Sequence, residues 1–109
     1  MCGIAAIFAY SNSVPGVNEG ELVSIRDHMK LRGPDGAGLW LDSHRRCGLG
    51  HRRLSIIDLS EAGAQPMISA DGKIVVVFKG EICSYRELRK ELEGQGCRFR
   101  STSDTEVLF

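Results

Sequence analysis

The first eight residues constrain this chain most. An apolar run over residues 4–8 predicts a buried β-strand, and Cys2 precedes it directly. If Met1 is removed, Cys2 carries a thiol with a pKa of about 8.5 beside an α-amine with a pKa of about 7.7–8.0. The amine could then take the thiol proton, as in enzymes that pair a nucleophile with an N-terminal amine. Cys2 is therefore a candidate nucleophile, against the commoner alternative of an inert, buried thiol; a retained Met1 would leave only a peptide nitrogen there.

Composition narrows the class of protein. With 109 residues, 42% of them hydrophobic, the chain is one domain or part of one with a modest core. Its 14 basic and 14 acidic residues cancel, which argues against a nucleic acid or a membrane surface as the main partner. The sequence shows no membrane-spanning run and no signal peptide, so we expect a cytoplasmic protein. The cysteines are scattered, which favours neither a disulfide framework nor a metal site.

Alternating and apolar segments predict several strands. We expect them at residues 39–41, at 47–51, from Arg52 onward, at 73–78 as the clearest case, and at 97–100 on a sheet edge. Between them, residues 31–38 hold a proline and three glycines that permit positive φ. This density predicts a tight loop that approaches a ligand or supports a neighbouring loop.

Helix signals alternate with these strands. Asn18 should cap a helix with Leu22, Ile25 and Met29 on its apolar stripe and His28 on its surface. Capping boxes predict two more helices, one opening at Ser84 and stopping near Gly94 and one opening at Ser103. Strands and helices together predict a layered α+β fold with antiparallel sheets. The last helix would be cut in its first turn, so we expect the chain to be part of a longer protein.

Two groups of residues suggest a site. Either guanidinium of Arg52 and Arg53 could clamp a carboxylate, because arginine presents a planar fork of donors. The predicted strand at 73–78 delivers Gly80 to its end, where a backbone N–H is accessible without a side chain in the way.

Several motifs, taken in order, resemble one family. They are MCGI at 1–4, RGPDGAG at 32–38, GHRRLSIID at 50–58, GAQPM at 63–67, GEI at 80–82 and SDTE at 103–106. The chain resembles the glutaminase domain of glutamine-hydrolysing asparagine synthetases, which are class II glutamine amidotransferases. Other class II amidotransferases typically carry Thr-Arg-Trp after the histidine, where this chain has Arg-Arg-Leu. The string favours the asparagine synthetase branch, and leaves open a branch member that amidates another carboxylate.

The resemblance implies a fold and a set of partners. The fold is the N-terminal-nucleophile hydrolase type, a four-layer αββα sandwich, of which residues 1–109 would form about the first half. The implied partners are glutamine and a missing C-terminal synthetase domain that uses ATP and Mg²⁺, and a homodimer stays open. No cofactor is expected in this part, and we expect it to be inactive alone with one apolar sheet face left open.

The resemblance also assigns roles. Cys2 would attack glutamine, Arg53 would bind its α-carboxylate, Asp104 its α-ammonium, and the Gly80 N–H would stabilise the oxyanion. The pocket would be completed by Glu81 and by backbone groups of Leu54, Ser55, Ile56 and Ile57. One position departs from the family, because Lys79 stands where an asparagine supplies the second oxyanion donor. The flexible lysine is not preorganised for that task, which leaves a degenerate domain with weak or no glutaminase activity as the alternative.

Overall fold

The first part of the chain forms a small antiparallel sheet with a helix on one face. A computed structural model describes residues 1–55 and 60–109. Its first elements are β1 (Gly3–Phe8), α1 (Glu19–Asp27), β2 (Gly36–Leu41) and β3 (Cys47–Arg53). The strand order is β1-β3-β2, and both pairings are antiparallel. The predicted strands at 4–8, 39–41 and 47–51 are confirmed, although β2 begins three residues earlier and β3 continues through both arginines. The expected burial of the first strand is wrong, because Ile4 is 46% and Phe8 69% exposed in β1.

A compact apolar core joins α1 to the sheet. Leu22 is fully buried, and it packs with Ala5 and Val17 against partly buried side chains of the strands. Gly48 of β3 makes room for this contact, since a Cβ there would lie 2.7 Å from Leu22 Cδ2. The core therefore sits between α1 and one face of the sheet.

The start of α1 follows the predicted capping chemistry. The Asn18 side chain accepts a hydrogen bond of 2.9 Å from the Glu21 N–H, which satisfies one of the donors left open at a helix start. Of the predicted stripe, Leu22 is buried and Met29 packs on the core, whereas Ile25 is 45% exposed. His28 is exposed, as expected.

The rest of the chain contains short elements. They are a 3-10 helix (Glu61–Gly63), β4 (Met67–Ile68), β5 (Val75–Val76), α2 (Tyr85–Gly94) and a second 3-10 helix (Asp104–Leu108). A cis peptide bond joins Gln65 and Pro66. Strands β4 and β5 form a separate two-stranded antiparallel sheet.

The strand predicted at 73–78 is wrong in its length. Among the described residues, strand pairing of this run is limited to Val75 and Val76, which pair with Ile68 and Met67 of β4. Beyond them the Phe78 N–H donates to the Gln65 side chain rather than to another strand. A β-branched run needs a pairing partner to become a strand, and this one has a partner over two residues.

The strand predicted from Arg52 onward is wrong in its start, and the strand predicted at 97–100 is wrong. Arg52 and Arg53 end β3 instead of starting a new strand, and residues 56–59 lie outside the described part of the chain. Residues 97–100 form no strand in the described structure, because the Arg100 N–H donates to Glu106 Oε1 at 2.7 Å.

The helix predicted to open at Ser84 and stop near Gly94 is confirmed as α2, whereas neither capping box of the second half is complete in the described structure. Helix α2 ends at Gly94, as predicted, and the positive φ of 93° falls on Gly96. At its start, Ser84 makes no side-chain capping bond within the described residues. Ser103 accepts from the Thr105 N–H at 3.2 Å, but the helix that it caps is a 3-10 helix. The Glu106 carboxylate accepts from the N–H groups of residues 100 and 101, and not from the Ser103 N–H as in a capping box.

The observed architecture is α+β with antiparallel sheets, as predicted. No helix within 1–55 and 60–109 is long and apolar enough to cross a membrane.

Candidate active site

The sheet register brings Cys2 next to the end of β3. Gly3 pairs with Arg52 and Ile4 with His51, so Cys2, one residue earlier, falls opposite Arg53. Residues opposite each other in an antiparallel pair project from the same face. Gly3 contacts Met29 beside α1, and therefore Cys2, His51 and Arg53 project from the face that α1 leaves uncovered.

Backbone groups hold the Cys2 thiol. Its Sγ accepts a hydrogen bond from the Leu54 N–H at 3.3 Å and lies 3.6 Å from the Leu54 carbonyl oxygen. The side chain is partly buried. The thiol therefore sits at a defined place, where β3 ends and the chain turns away from the sheet.

The two arginines take opposite sides, as neighbours on a strand do. Arg52 is 7% exposed, donates to the Gly33 carbonyl at 3.0 Å and lies 3.5 Å from Asp27 Oδ1 of α1. Arg53 turns to the Cys2 side and donates to the Ser60 carbonyl at 2.7 Å. Arg52 thus ties α1 to the loop, while Arg53 projects from the same face of the sheet as Cys2.

The loop at 31–38 supports this end of the sheet. The Asp35 N–H donates to the Arg53 carbonyl at 2.9 Å, and Asp35 Oδ2 accepts from the Ser55 N–H at 2.8 Å. Gly33 packs on the Arg52 backbone so closely that a Cβ would lie 2.4 Å from its carbonyl carbon. In the described ranges, positive φ at glycine occurs at Gly72, Gly80 and Gly96. Gly33 therefore serves close packing rather than unusual φ, and the supporting role predicted for the loop is the one observed.

A second wall comes from the segments around Gly80 and Asp104. Gly80 has a φ of 156°, and a Cβ there would lie 3.0 Å from the Phe78 ring. Asp104 is 6% exposed, and its Oδ2 accepts from the Ile82 N–H at 2.9 Å. The carboxylate is therefore fixed relative to the chain that follows Gly80.

These walls enclose a cavity of about 70 Å³, several times what one ordered water needs. Its lining residues are Cys2, His51, Arg53, Leu54, Ser55, Gly63, Gln65, Phe78, Gly80, Glu81, Ser103, Asp104 and Thr105. Most of the residues predicted for the site are thus brought together from four separate parts of the sequence. Ile56 and Ile57 lie outside the described residues. Lys79 is exposed and does not line the cavity in the described part of the chain.

The cavity combines a thiol, a guanidinium and a carboxylate. Such a site suits a molecule that has its own carboxylate and ammonium groups, with a further group within reach of the thiol. Over residues 1–55 and 60–109, no group of three or more His, Cys, Asp or Glu side chains is arranged to hold a metal ion.

Sequence comparison identifies the family. The family model described as a glutamine amidotransferase domain matches residues 1–109. The chain belongs to this glutamine amidotransferase family. The resemblance stated from the motifs is thereby confirmed.

The relatives of this amidotransferase domain include glutamine-hydrolysing asparagine synthetases. The chain is 43% identical to asparagine synthetase [glutamine-hydrolyzing] 1 of Bacillus subtilis (strain 168) over 110 residues, covering 100% of the chain and 17% of the relative. It is 41% identical to the asparagine synthetase [glutamine-hydrolyzing] of Sandersonia aurantiaca, covering 99% of the chain and 19% of that protein. Amidase chry2 of Gibberella zeae is 37% identical over 100% of the chain and 17% of its own length. The chain spans less than a fifth of the length of each of these three relatives.

Six residues that line the amidotransferase cavity are not among the predicted site residues, namely His51, Gly63, Gln65, Phe78, Ser103 and Thr105. Gln65 lies in a predicted loop, and no local pattern marks its side chain. His51 could have been found, because it lies two residues before Arg53 on one strand and so shares its face.

His51 is enclosed by the protein. It is 1% exposed, and neither ring nitrogen has a hydrogen-bond partner among the described residues. Burial lowers the pKa of His51 below its ordinary value of 6.5; the nearby Phe78 backbone acts in the opposite direction, and the Arg53 charge lowers it further. The lowered pKa favours the neutral form of the imidazole at the cavity wall.

Proposed function

We propose that this chain is the glutaminase part of a glutamine-dependent asparagine synthetase and hydrolyses glutamine to glutamate and ammonia. One observation carries the proposal: Cys2, Arg53 and Asp104 line the same cavity although they lie far apart in the sequence. A cavity lined by a thiol, a cation and a carboxylate fits a free amino acid with a reactive side-chain amide.

In the proposed reaction, Cys2 acts after removal of Met1. Met1 is 67% exposed and precedes a small residue, so an aminopeptidase has access to it. The freed α-amine takes the thiol proton, and the thiolate attacks the carboxamide carbon of glutamine. The C–N bond breaks and ammonia leaves with that proton, which gives a thioester on Cys2. Water then cleaves the thioester and yields glutamate.

The other residues would bind and orient glutamine. Arg53 would pair with the α-carboxylate and Asp104 with the α-ammonium, while Glu81 and backbone groups of residues 54–57 complete the pocket. The Gly80 N–H would donate to the oxyanion that forms during attack. A preorganised donor of this kind is worth about 100- to 1000-fold in turnover.

Lys79 is a poor substitute for the asparagine amide that supplies the second oxyanion donor in the family. Its side chain is exposed, and a flexible ammonium does not replace an oriented amide. We therefore expect slow turnover in the natural sequence and a gain of up to about 100- to 1000-fold in Lys79→Asn, in which the amide donor is restored.

The proposal also includes parts of the full-length protein outside residues 1–109. The complete domain would be the four-layer αββα sandwich of N-terminal-nucleophile hydrolases, and its ammonia would amidate aspartate in a synthetase domain that uses ATP and Mg²⁺. Lys79 favours a degenerate, weakly active domain as a second candidate. A branch member that amidates another carboxylate is the third candidate.

Glutamate release by the full-length protein tests the proposal. Cys2→Ala should abolish release, whereas Cys83→Ala should keep it, because Cys83 is exposed and lies outside the cavity lining of the described residues. Arg53→Lys and Asp104→Asn should raise KM for glutamine more than they lower kcat. Unchanged release in Cys2→Ala would refute the mechanism, and no release from either the wild type or Lys79→Asn would support a degenerate domain.

A further inference from the structure

The GAQPM motif contributes a side chain that joins two walls of the cavity. Gln65 Oε1 accepts a hydrogen bond of 2.6 Å from the Phe78 N–H, and Gln65 Nε2 donates to Thr105 Oγ1 at 3.1 Å. Phe78 lies two residues before Gly80, and Thr105 follows Asp104. One amide therefore connects the segment of the proposed oxyanion donor to the segment of the proposed ammonium-binding carboxylate.

The Gln65 backbone is itself fixed on the sheet. A Cβ at Gly38 of β2 would lie 1.7 Å from the Gln65 carbonyl oxygen, so the absence of a side chain at Gly38 allows this close approach. Gly38 pairs with His51 of β3. The Gln65 backbone thus packs on the sheet face that carries the site, and its side chain extends from this contact to Phe78 and Thr105.

Hydrogen bonds hold the chain on both sides of Gly80. The Phe78 N–H is held by Gln65, and the Ile82 N–H is held by Asp104 Oδ2 at 2.9 Å. Gly80 lies midway between these two anchored peptide groups, and its φ of 156° is one that the anchors help to maintain. Without the Gln65 anchor, the segment would be held from one side only.

We propose that Gln65 is a positioning residue that aims the Gly80 N–H at the reacting carbonyl and sets its distance from Asp104. This inference rests on the proposed function, because it assigns Gln65 a role in that same reaction. A displacement of about 1 Å in a catalytic group can cost about 100-fold in rate. The effect should fall mainly on kcat, because the Gln65 bond to the Phe78 N–H holds the segment of the proposed oxyanion donor, while Asp104 keeps its own bond to the Ile82 N–H.

The test uses Gln65→Leu, Thr105→Val and Gln65→Glu in the full-length protein, with Gln95→Leu as the matched control. Gln95 is exposed at the end of α2. Leucine removes both bonds, valine removes one acceptor, and glutamate keeps an acceptor for the Phe78 N–H. We expect kcat to fall about 10- to 100-fold in Gln65→Leu, with KM within about threefold of the wild-type value. Thr105→Val should lower kcat less, and Gln65→Glu should recover part of the kcat that Gln65→Leu loses. The losses of Gln65→Leu and Thr105→Val should not add in the variant that carries both substitutions.

Amide hydrogen exchange supplies a readout that needs no turnover. Exchange in residues 78–82 should become about 2- to 10-fold faster in Gln65→Leu, the range expected for one lost hydrogen bond, while β1 and β3 stay as protected as in the wild type. Unchanged exchange at 78–82 would overturn the inference, as would normal kcat in an active Gln65→Leu protein. If amide exchange in Gln65→Leu is faster throughout the protein, the exchange of residues 78–82 in Thr105→Val decides instead. Unchanged exchange there would overturn the inference. A wild type that releases no glutamate would refute the proposed function, and the exchange result would still decide whether Gln65 anchors this segment.

Discussion

In the described structure, residues 1–53 form an apolar core and bury two polar side chains, His51 and Arg52, whereas residues 60–109 bury mainly polar side chains. Ala5, Val17 and Leu22 form the core of the first region. In the second region the buried side chains are Met67, Ser101, Ser103, Asp104, Thr105 and Glu106. The first region also has three strands joined by backbone ladders, while the two strands of the second are two residues long.

The difference assigns each region a task. Apolar packing and strand ladders do not depend on any single polar atom, and they fix Cys2 and Arg53 at the end of a sheet. The second region depends on particular side-chain bonds, such as those of Gln65, Asp104 and Glu106. The cavity lies where the two regions meet, so its nucleophile is held by the fold and its opposite wall by individual polar contacts.

The largest effect is expected at the junction of the regions, in Gly38→Ala. The new Cβ would lie 1.7 Å from the Gln65 carbonyl oxygen, and because this is a backbone contact, the second region must move away from the sheet. We expect unfolding free energy to fall by about 3 kcal/mol, the upper end of the usual cost of overpacking, together with loss of glutamine turnover. Denaturant unfolding measures the first and glutamate release the second.

Gly94→Ala is the control for this substitution. A Cβ at Gly94 meets no atom within 4 Å in the described structure, and alanine favours helices. Equal stability losses in Gly38→Ala and Gly94→Ala would show that the two regions do not meet as described.

A smaller effect is expected in Glu106→Gln, within the second region. Glu106 accepts from the Arg100 and Ser101 N–H groups at 2.7 and 2.8 Å and from the Ser101 hydroxyl. Burial alone would raise its pKa, but these hydrogen bonds and the Arg100 charge hold the pKa below its ordinary value of 4.5. A glutamine amide must turn its own donors toward some of these donors, so we expect a loss of about 1.5–3 kcal/mol at pH 7.

The sign of the pH dependence follows from the lowered pKa of Glu106. Because folding favours the charged carboxylate, its stabilisation is complete above the ordinary value of 4.5 and is lost as the pH falls through the lower folded value. Unfolding curves between pH 7 and 3 should therefore show less acid destabilisation in Glu106→Gln than in the wild type. Identical pH profiles would mean that the carboxylate is not held as described.

The smallest effects compare one helix start in each region. Asn18 caps α1 with a 2.9 Å bond, whereas Ser84 makes no side-chain capping bond in the described structure. Asn18→Ala should cost about 1 kcal/mol, and Ser84→Ala less than about 0.5 kcal/mol. Thermal unfolding of both variants checks the order, and a larger loss in Ser84→Ala would contradict the contrast.

Local signals predicted the first region well. The apolar run of β1, the Asn18 cap and the Leu22 position each depend on chemistry within a few residues, and the structure confirms all three. The motifs also placed Cys2, Arg53, Gly80 and Asp104, which line one cavity.

The second region was predicted less well because its bonds join distant residues. The run at 73–78 pairs over only two residues, and Glu106 bonds to residues 100 and 101 rather than completing a capping box. The amide of Gln65 joins positions 13 and 40 residues away. Sequence periodicity carries no information on such partners.

The most direct test of the central claim is an intact-mass measurement of the expressed protein, before and after reaction with a glutamine-analogue electrophile that alkylates nucleophilic thiols. The account predicts loss of the Met1 mass and a single label on Cys2, with glutamine protecting against labelling. Retention of Met1 without a label, or labelling at Cys83 or Cys97 in place of Cys2, would contradict it.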